Sequence, residues 1–163
     1  MAKNISNPQI WHKIINKFNE LKFKYVIVGA AALVIHGLPR STLDVDVYIP
    51  AKGENLDKLF AIADSLGLQT EQKAILNITH SPNLFTNQWL CFSYKGQDVL
   101  DVFLADEKEF NKIYKNSERK KDKSIAIRVA SLKDIKAMKK ACGRPIDIAD
   151  IKLIEEAQRY KKI

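Results

Sequence analysis

The chain has 163 residues, of which 46% are hydrophobic and 28% charged, and its formal net charge is +8 at pH 7. This composition is typical of one folded domain and excludes an intrinsically disordered chain. Cys91 and Cys142 have neither a paired spacing nor a metal-ligand spacing, so a reducing cytoplasm is the expected compartment. The longest apolar stretch is too short to cross a bilayer, so no membrane partner is expected.

The first half of the chain predicts helices and strands in alternation. A helix begins at Asn7-Pro8, a short strand over residues 25–28 ends at Gly29, and a helix over residues 30–36 follows directly. Residues 42–49 alternate as a strand, and a second amphipathic helix over residues 56–66 stops at Gly67. The apolar positions expected on the first helix and on the alternating strand are Ile10, Trp11, Ile14, Ile15, Phe18, Leu21, Leu43, Val45, Val47 and Ile49.

The second half predicts a strand near residues 74–78, paired strands over 89–94 and 99–104, a helix over 107–116 and a strand over 124–129. The basic run at residues 119–121 is expected to be a solvated loop. Because no aromatic residue between Lys115 and Arg128 offers a stacking platform for bases, its charge alone does not establish nucleic-acid binding. Helices follow from Ser131 and from Pro145. We therefore predict one α/β (α+β) domain over residues 1–163, a mixed β-sheet packed with helices, on which the C-terminal helices of residues 131–163 pack.

Two aspartates on the alternating strand indicate chemistry. Asp44 and Asp46 lie two residues apart, so their side chains point to the same face, where like charges repel each other. No Lys or Arg alternates with them on that face, and a hard divalent cation would relieve the repulsion. The alternative is a solvated sheet face.

A third aspartate, Asp101, stands in the apolar run of residues 99–104, which is typical of an interior strand. A carboxylate there is costly unless it is paired, protonated or bound to metal. If its strand lies beside that of Asp44 and Asp46, three carboxylates converge; the alternative is an aspartate paired with a lysine. Upstream, a helix that begins just behind Gly29 would present free backbone amides to an anion such as a phosphate.

These residues resemble a known signature. The stretch Val28-Gly29-Ala30-Ala31-Ala32, followed by His36-Gly37, Arg40, Thr42 and Asp44-Val45-Asp46, is similar to the active-site motif of the nucleotidyltransferase superfamily. Residues 137–150, with Lys139, Gly143-Arg144-Pro145, Asp147 and Asp150, are similar to the tail of small bacterial and archaeal members, including toxins of abortive-infection type. The resemblance spans about residues 25–155, nearly the whole chain.

The resemblance implies a site and its ligands. Asp44, Asp46 and Asp101 would be catalytic and would bind two Mg²⁺ ions, and a nucleoside triphosphate would be the substrate. The nucleotide would be bound by Gly29, Ala30, Arg40, Thr42, Lys139 and Arg144, while Asp147 and Asp150 would cap and anchor the last helix. Many active members carry serine at the position of Ala30, so one hydrogen bond to phosphate is missing here.

Three functions compete at this stage. The leading one is transfer of a nucleoside monophosphate from a nucleoside triphosphate to an acceptor hydroxyl on RNA, protein or a small molecule. The net charge favours a polyanion such as tRNA. A chain this short has little room for a second substrate domain, which favours a paired subunit or a toxin with an antitoxin. The alternatives are a catalytically weak nucleotide- or partner-binding module of the same fold, favoured by Ala30, and a metal-dependent nuclease, disfavoured because no lysine follows Asp101 until Lys108.

Overall fold

The computed structural model describes residues 8–71 and 88–160 of the chain. In these two ranges helices and strands are mixed along the sequence, with two strand pairs and one helix pair in succession. They are α1 (Pro8–Glu20), β1 (Val26–Val28), α2 (Gly29–Ile35), β2 (Val45–Pro50), α3 (Gly53–Leu66), β3 (Trp89–Tyr94), β4 (Gln97–Ala105), α4 (Glu107–Asn116), β5 (Glu118–Asp122), β6 (Ile125–Val129), α5 (Leu132–Cys142) and α6 (Pro145–Arg159).

The strands form a mixed six-stranded sheet in the order β3-β4-β2-β1-β6-β5. β2 runs parallel to β4 and antiparallel to β1, and β1 runs parallel to β6. The two sequential pairs, β3 with β4 and β5 with β6, are antiparallel hairpins at opposite edges of the sheet. β2 and β4, the two strands that carry the predicted carboxylates, are therefore direct neighbours in the interior of the sheet.

The two faces of the sheet differ in character because side chains alternate along each strand. On one face Val45, Val47 and Ile49 of β2 stand opposite Leu100, Val102 and Leu104 of β4, and all six are buried. α3 covers this face at its edge, where the rings of Phe60 and Phe92 lie 5.9 Å apart, and α1 packs against α3. The opposite face carries the pairs Asp46–Asp101 and Tyr48–Phe103, so the acidic residues stay out of the main apolar layer.

The prediction of a single α/β domain with a mixed sheet is confirmed. The paired strands that were expected around Lys95-Gly96 form a hairpin in which both turn residues have positive φ, 50° and 79°, as a two-residue turn of type I′ requires. The strand predicted near residues 74–78 lies outside the described residues.

Two apolar positions were assigned to the core and are not in it. Leu21 is 51% exposed because α1 ends at Glu20 and the chain turns through Lys22, whose φ is 51°. Leu43 is 71% exposed because β2 begins only at Val45, so Leu43 is not part of a strand and does not point to its buried face. In both cases the apolar pattern continued past the true end of the element.

The basic run was predicted to be a solvated loop, and this was wrong. Arg119, Lys120 and Lys121 lie on β5, which pairs with β6 in register from Glu118–Val129 to Asp122–Ile125. β5 is an edge strand, where lysines are common because they discourage pairing with a further chain. Charged residues have low strand propensity, and here the pairing with the apolar strand β6 overrides it.

Candidate active site

Three carboxylates converge on the open face of the sheet. Asp46 on β2 stands directly opposite Asp101 on β4, and Asp44 lies in the bend that leads into β2. One carboxylate oxygen from each residue can be chosen so that all three lie within 4.8 Å of one another, and all three side chains are half-buried. The structure thus brings together the three residues that the sequence nominated.

The electrostatics of this cluster are those of crowded negative charge. Burial, followed by the charges of Asp44 and Asp101, raises the pKa of Asp46 from 3.8 to about 7. Burial and the charge of Asp44 likewise raise the pKa of Asp101 to about 6. Asp46 and Asp101 therefore resist ionisation beside the neighbouring negative charges, and a bound cation would remove that resistance.

One carboxylate oxygen of Asp101, Oδ1, is buried without a donor in the part of the chain that the structure describes. The pKa of Asp101 is lowered by a hydrogen bond from Cys91, its partner on β3, and burial raises the pKa of that thiol to about 12. A buried carboxylate oxygen without a donor is costly. An oxygen-seeking divalent cation such as Mg²⁺ would satisfy it, so these residues fit the implied metal.

Gly29 makes room for Asp46. Val28 pairs with Asp46, and a Cβ on Gly29 would overlap Oδ2 of Asp46 and lie 3.1 Å from its Cγ. Gly29 also has a φ of +67°, a conformation that side chains disfavour. The contact of Gly29 with phosphate stays a prediction. Independently of it, the close approach of Asp46 leaves no space for a side chain at this position. Thr42 supports Asp44, since its Oγ1 donates to the Asp44 carbonyl oxygen at 3.1 Å.

The lysine and the two acids of the C-terminal motif form a buried ionic cluster. Lys139 on α5 donates to Oδ2 of Asp150 on α6 at 2.8 Å, and its Nζ lies 3.6 Å from Oδ1 of Asp147. All three residues are buried, at 7%, 2% and 1% exposure for Lys139, Asp150 and Asp147. The charge of Lys139 lowers the pKa of Asp46, so this cluster lies within electrostatic reach of the triad.

Two arginines flank the cluster. Arg40 donates from Nε to Oδ1 of Asp150 at 3.0 Å, and Arg144 donates from Nε to Oδ2 of Asp147 at 2.7 Å. Asp147 also accepts from the Arg144 backbone amide and so caps α6, as the sequence predicted. Sequence reasoning did not predict the contacts of Asp150 with Lys139 and Arg40, or the contact of Cys91 with Asp101. Asp150 and Lys139 were predicted only as members of the C-terminal motif.

Residues 10–159 match the family described as nucleotidyltransferase of unknown function (DUF6036). The chain belongs to this family. The resemblance on which the sequence prediction rested is therefore confirmed at the level of family. No curated protein matches this member of the DUF6036 family.

Solved structures place the DUF6036 chain in the nucleotidyltransferase fold. A protein from Thermotoga maritima assigned as a nucleotidyltransferase is 15% identical, with a TM-score of 0.62, and the match covers 98% of this chain and 95% of that one. A lincosamide antibiotic adenylyltransferase with lincomycin bound is 15% identical, with a TM-score of 0.64 and coverages of 94% and 98%. The factor ANT(2″)-Ia in complex with adenylyl-2″-tobramycin is 18% identical, with a TM-score of 0.61 and coverages of 94% and 90%.

None of the helices in residues 8–71 and 88–160 combines the length and the apolar character that a bilayer crossing requires.

Proposed function

We propose that this chain transfers a nucleoside monophosphate from a nucleoside triphosphate to an acceptor hydroxyl, with divalent cations held by Asp44, Asp46 and Asp101. One observation carries the proposal: three carboxylates converge on an interior part of the sheet, and Oδ1 of Asp101 is buried there with no hydrogen-bond partner in residues 8–71 and 88–160. The family and the fold, both of nucleotidyltransferases, agree with it.

The cations would be held by carboxylate oxygens alone, the donor set that Mg²⁺ prefers. When bound, two Mg²⁺ ions would neutralise the triphosphate and make the acceptor hydroxyl a better nucleophile. Asp101 would help to take the proton of that hydroxyl. The hydrogen bond from Thr42 holds the backbone of Asp44 in position, and Gly29 leaves the space that the Asp46 carboxylate occupies.

The basic residues around the triad would bind the triphosphate. Lys139 and Arg144 both lower the pKa of Asp46, so their charges act on the region that the phosphates would occupy. Lys139 is fixed in one position by Asp147 and Asp150, which is the preorganisation that transition-state stabilisation needs. Arg40 is fixed by Asp150 in the same way, and the backbone of Gly29 and Ala30 would contact phosphate.

The acceptor could belong to one of three classes: a tRNA end, a protein hydroxyl or a small molecule. The neighbours in complex with adenylyl-2″-tobramycin and lincomycin make a small-molecule acceptor a concrete case to test. The net charge of +8 favours a polyanionic acceptor. A role as the toxin of a toxin-antitoxin pair in the cytoplasm remains part of the proposal, because the sequence resembles such members.

The test is a transfer assay with Mg²⁺ and each labelled nucleoside triphosphate in turn. Total tRNA, a protein extract, tobramycin and lincomycin are offered as acceptors in separate reactions. The variant is Asp46→Asn and the matched control is Asp98→Asn, because Asp98 is an exposed carboxylate near Asp101 that stands outside the triad. Label transfer that is lost in the first variant and kept in the second supports the proposal.

A binding module of the same fold is the second candidate, and Ala30 is the observation that favours it, since the serine of many active members is absent. It predicts nucleotide binding by calorimetry without label transfer to any acceptor. Any label transfer would exclude the binding module, and transfer that Asp46→Asn leaves unchanged would contradict the catalytic use of the carboxylates.

A further inference from the structure

A second basic site lies away from the carboxylates. A cavity of about 420 Å³ opens between the end of α1, the start of β1, α4 and the β5–β6 hairpin. Four cationic residues line it, Lys22, Lys24, Arg119 and Arg128, and no acidic residue is among the described residues of its wall. A cavity with this lining attracts anions and repels cations.

Two of the cations face each other directly. Arg119 on β5 is the register partner of Arg128 on β6, so two guanidinium groups start from opposite positions on one face of a two-stranded edge. Like charges in this arrangement repel. Within the described part of the chain neither arginine forms an ion pair, and the closest polar contact of the Arg128 side chain is Ser117 Oγ at 3.5 Å. The two guanidinium groups can therefore still bind an anionic group.

The wall behind the arginines is fixed. The Tyr25 hydroxyl accepts from the Arg128 backbone amide at 3.3 Å and donates to Asn19 Oδ1 at 3.2 Å. The ring of Tyr114 lies 4.7 Å from the Arg128 guanidinium and 5.6 Å from Lys24 Nζ. These contacts orient Arg128 and Lys24, so a ligand would meet charges that are already in position.

The charge also continues beyond the cavity along the strand. Lys121 is exposed and pairs with Ala126, which lines the cavity, so Lys121 lies on the same face as Arg119. The cavity itself lies at the start of β1, while Asp46 pairs with Val28 at the end of β1, about 10 Å further along the strand. The site is thus separate from the triad, and its charges form a row rather than a single point.

We infer that this surface binds the phosphates of a nucleic-acid strand, without regard to sequence, through Arg119, Arg128, Lys24 and Lys121. A row of cations on an open surface suits a repeating polyanion, whereas one free nucleotide would use only part of it. Phe18 and Tyr25 are buried and form the floor of the cavity, and the ring of Tyr114 packs against Arg128 and Lys24. The site would add affinity for a polynucleotide whatever acceptor the triad serves.

The test is fluorescence anisotropy of labelled oligo(U) and oligo(dT), about 15 nucleotides long to suit a typical site size. No nucleoside triphosphate or metal is added, so the outcome does not depend on transferase activity. The variant Arg119→Gln/Arg128→Gln is compared with Lys133→Gln/Lys152→Gln, which removes the same charge from exposed positions on α5 and α6. A second pair, Ala126→Glu against Ala126→Gln, tests the cavity at an exposed residue without removing the arginines.

We expect both oligonucleotides to bind with similar affinity. The arginine variant should bind about tenfold more weakly and lose about 1.4 from the slope of log K against log salt concentration, the value for two single-strand phosphate contacts. Ala126→Glu should weaken binding and Ala126→Gln should not. Equal loss in the lysine control, an unchanged affinity in Ala126→Glu, or no binding of either oligonucleotide would overturn the inference.

Discussion

The substitution Gly29→Ala separates the two demands that the structure makes on this residue. The new methyl group would overlap Oδ2 of Asp46, and the backbone would be held at a φ of +67°. Gly37→Ala is a matched control, because Gly37 has a φ of +86° and a Cβ there would meet nothing within 4 Å. Both variants strain the backbone, and only the first one disturbs the triad.

The sizes of the two effects can be worked out separately. An alanine in the left-handed region costs about 1–2 kcal/mol, of which the stiffer unfolded chain returns about 0.4–1 kcal/mol. In Gly29→Ala the overlap is with the tip of a side chain, so turning Asp46 off its rotamer should cost only about 0.5–1.5 kcal/mol more. Displacing a catalytic carboxylate by about 1 Å, in contrast, should lower the transfer rate about 100-fold.

Unfolding by urea would measure stability, and calorimetry with Mg²⁺ together with the transfer assay would measure function. We expect the two alanine variants to differ by about 1 kcal/mol in unfolding free energy, within the cost of one strained rotamer. Only Gly29→Ala should lose Mg²⁺ affinity and transfer. If Gly29→Ala kept both within a few-fold of Gly37→Ala, the steric role of Gly29 and the placement of Asp46 would be refuted.

Three further predictions concern the charges of the site. The pKa of Asp46 is raised to about 7 in the folded state, so without metal its contribution to stability is present below about pH 4. That contribution, about 4 kcal/mol at most, is lost as the pH rises to about 7. In urea unfolding at a series of pH values, Asp46→Asn should remove this pH dependence, and Mg²⁺ should restore stability at pH 8 in the wild type alone. Lys139→Met should lower the unfolding free energy by about 3 kcal/mol because it strands buried Asp150, whereas Lys136→Met, which breaks a half-exposed pair, should cost at most about 1 kcal/mol. Ala30→Ser should tighten nucleoside triphosphate binding about tenfold or more by calorimetry if its hydroxyl reaches phosphate, and an unchanged affinity would place the phosphates elsewhere.

The acidic triad could be predicted from sequence because its signals are local. Strand alternation put Asp44 and Asp46 on one face, and the apolar residues around Asp101 marked an interior strand. That the two strands are neighbours is a long-range fact that the sequence left open, because a buried Asp101 could equally have been protonated or paired with a lysine. The one-to-one register of Asp46 with Asp101 could not be foreseen in this way.

The basic edge of the sheet could not be predicted because its structure depends on partners distant in sequence. β5 has the composition of a loop, and it becomes a strand only by pairing with β6. The sequence also could not show what surrounds this run. Phe18, Tyr25 and Tyr114 come to the same cavity from three other segments, where Phe18 and Tyr25 are buried and the ring of Tyr114 lies 4.7 Å from the Arg128 guanidinium.

The ionic cluster of Lys139, Asp147 and Asp150 could be predicted only in part. The sequence pattern on α6 indicated buried acids, but their partner on α5 was not predicted. Asp147, Asp150 and Ile154 recur at helical spacing, and they are the residues that α6 buries. Acids on the buried stripe of a helix require a cation on the element that packs against it, and α5, which packs against α6, supplies Lys139. Because the same lysine acts on Asp46, the charge of the candidate active site depends on α6, although no residue of α6 belongs to the triad.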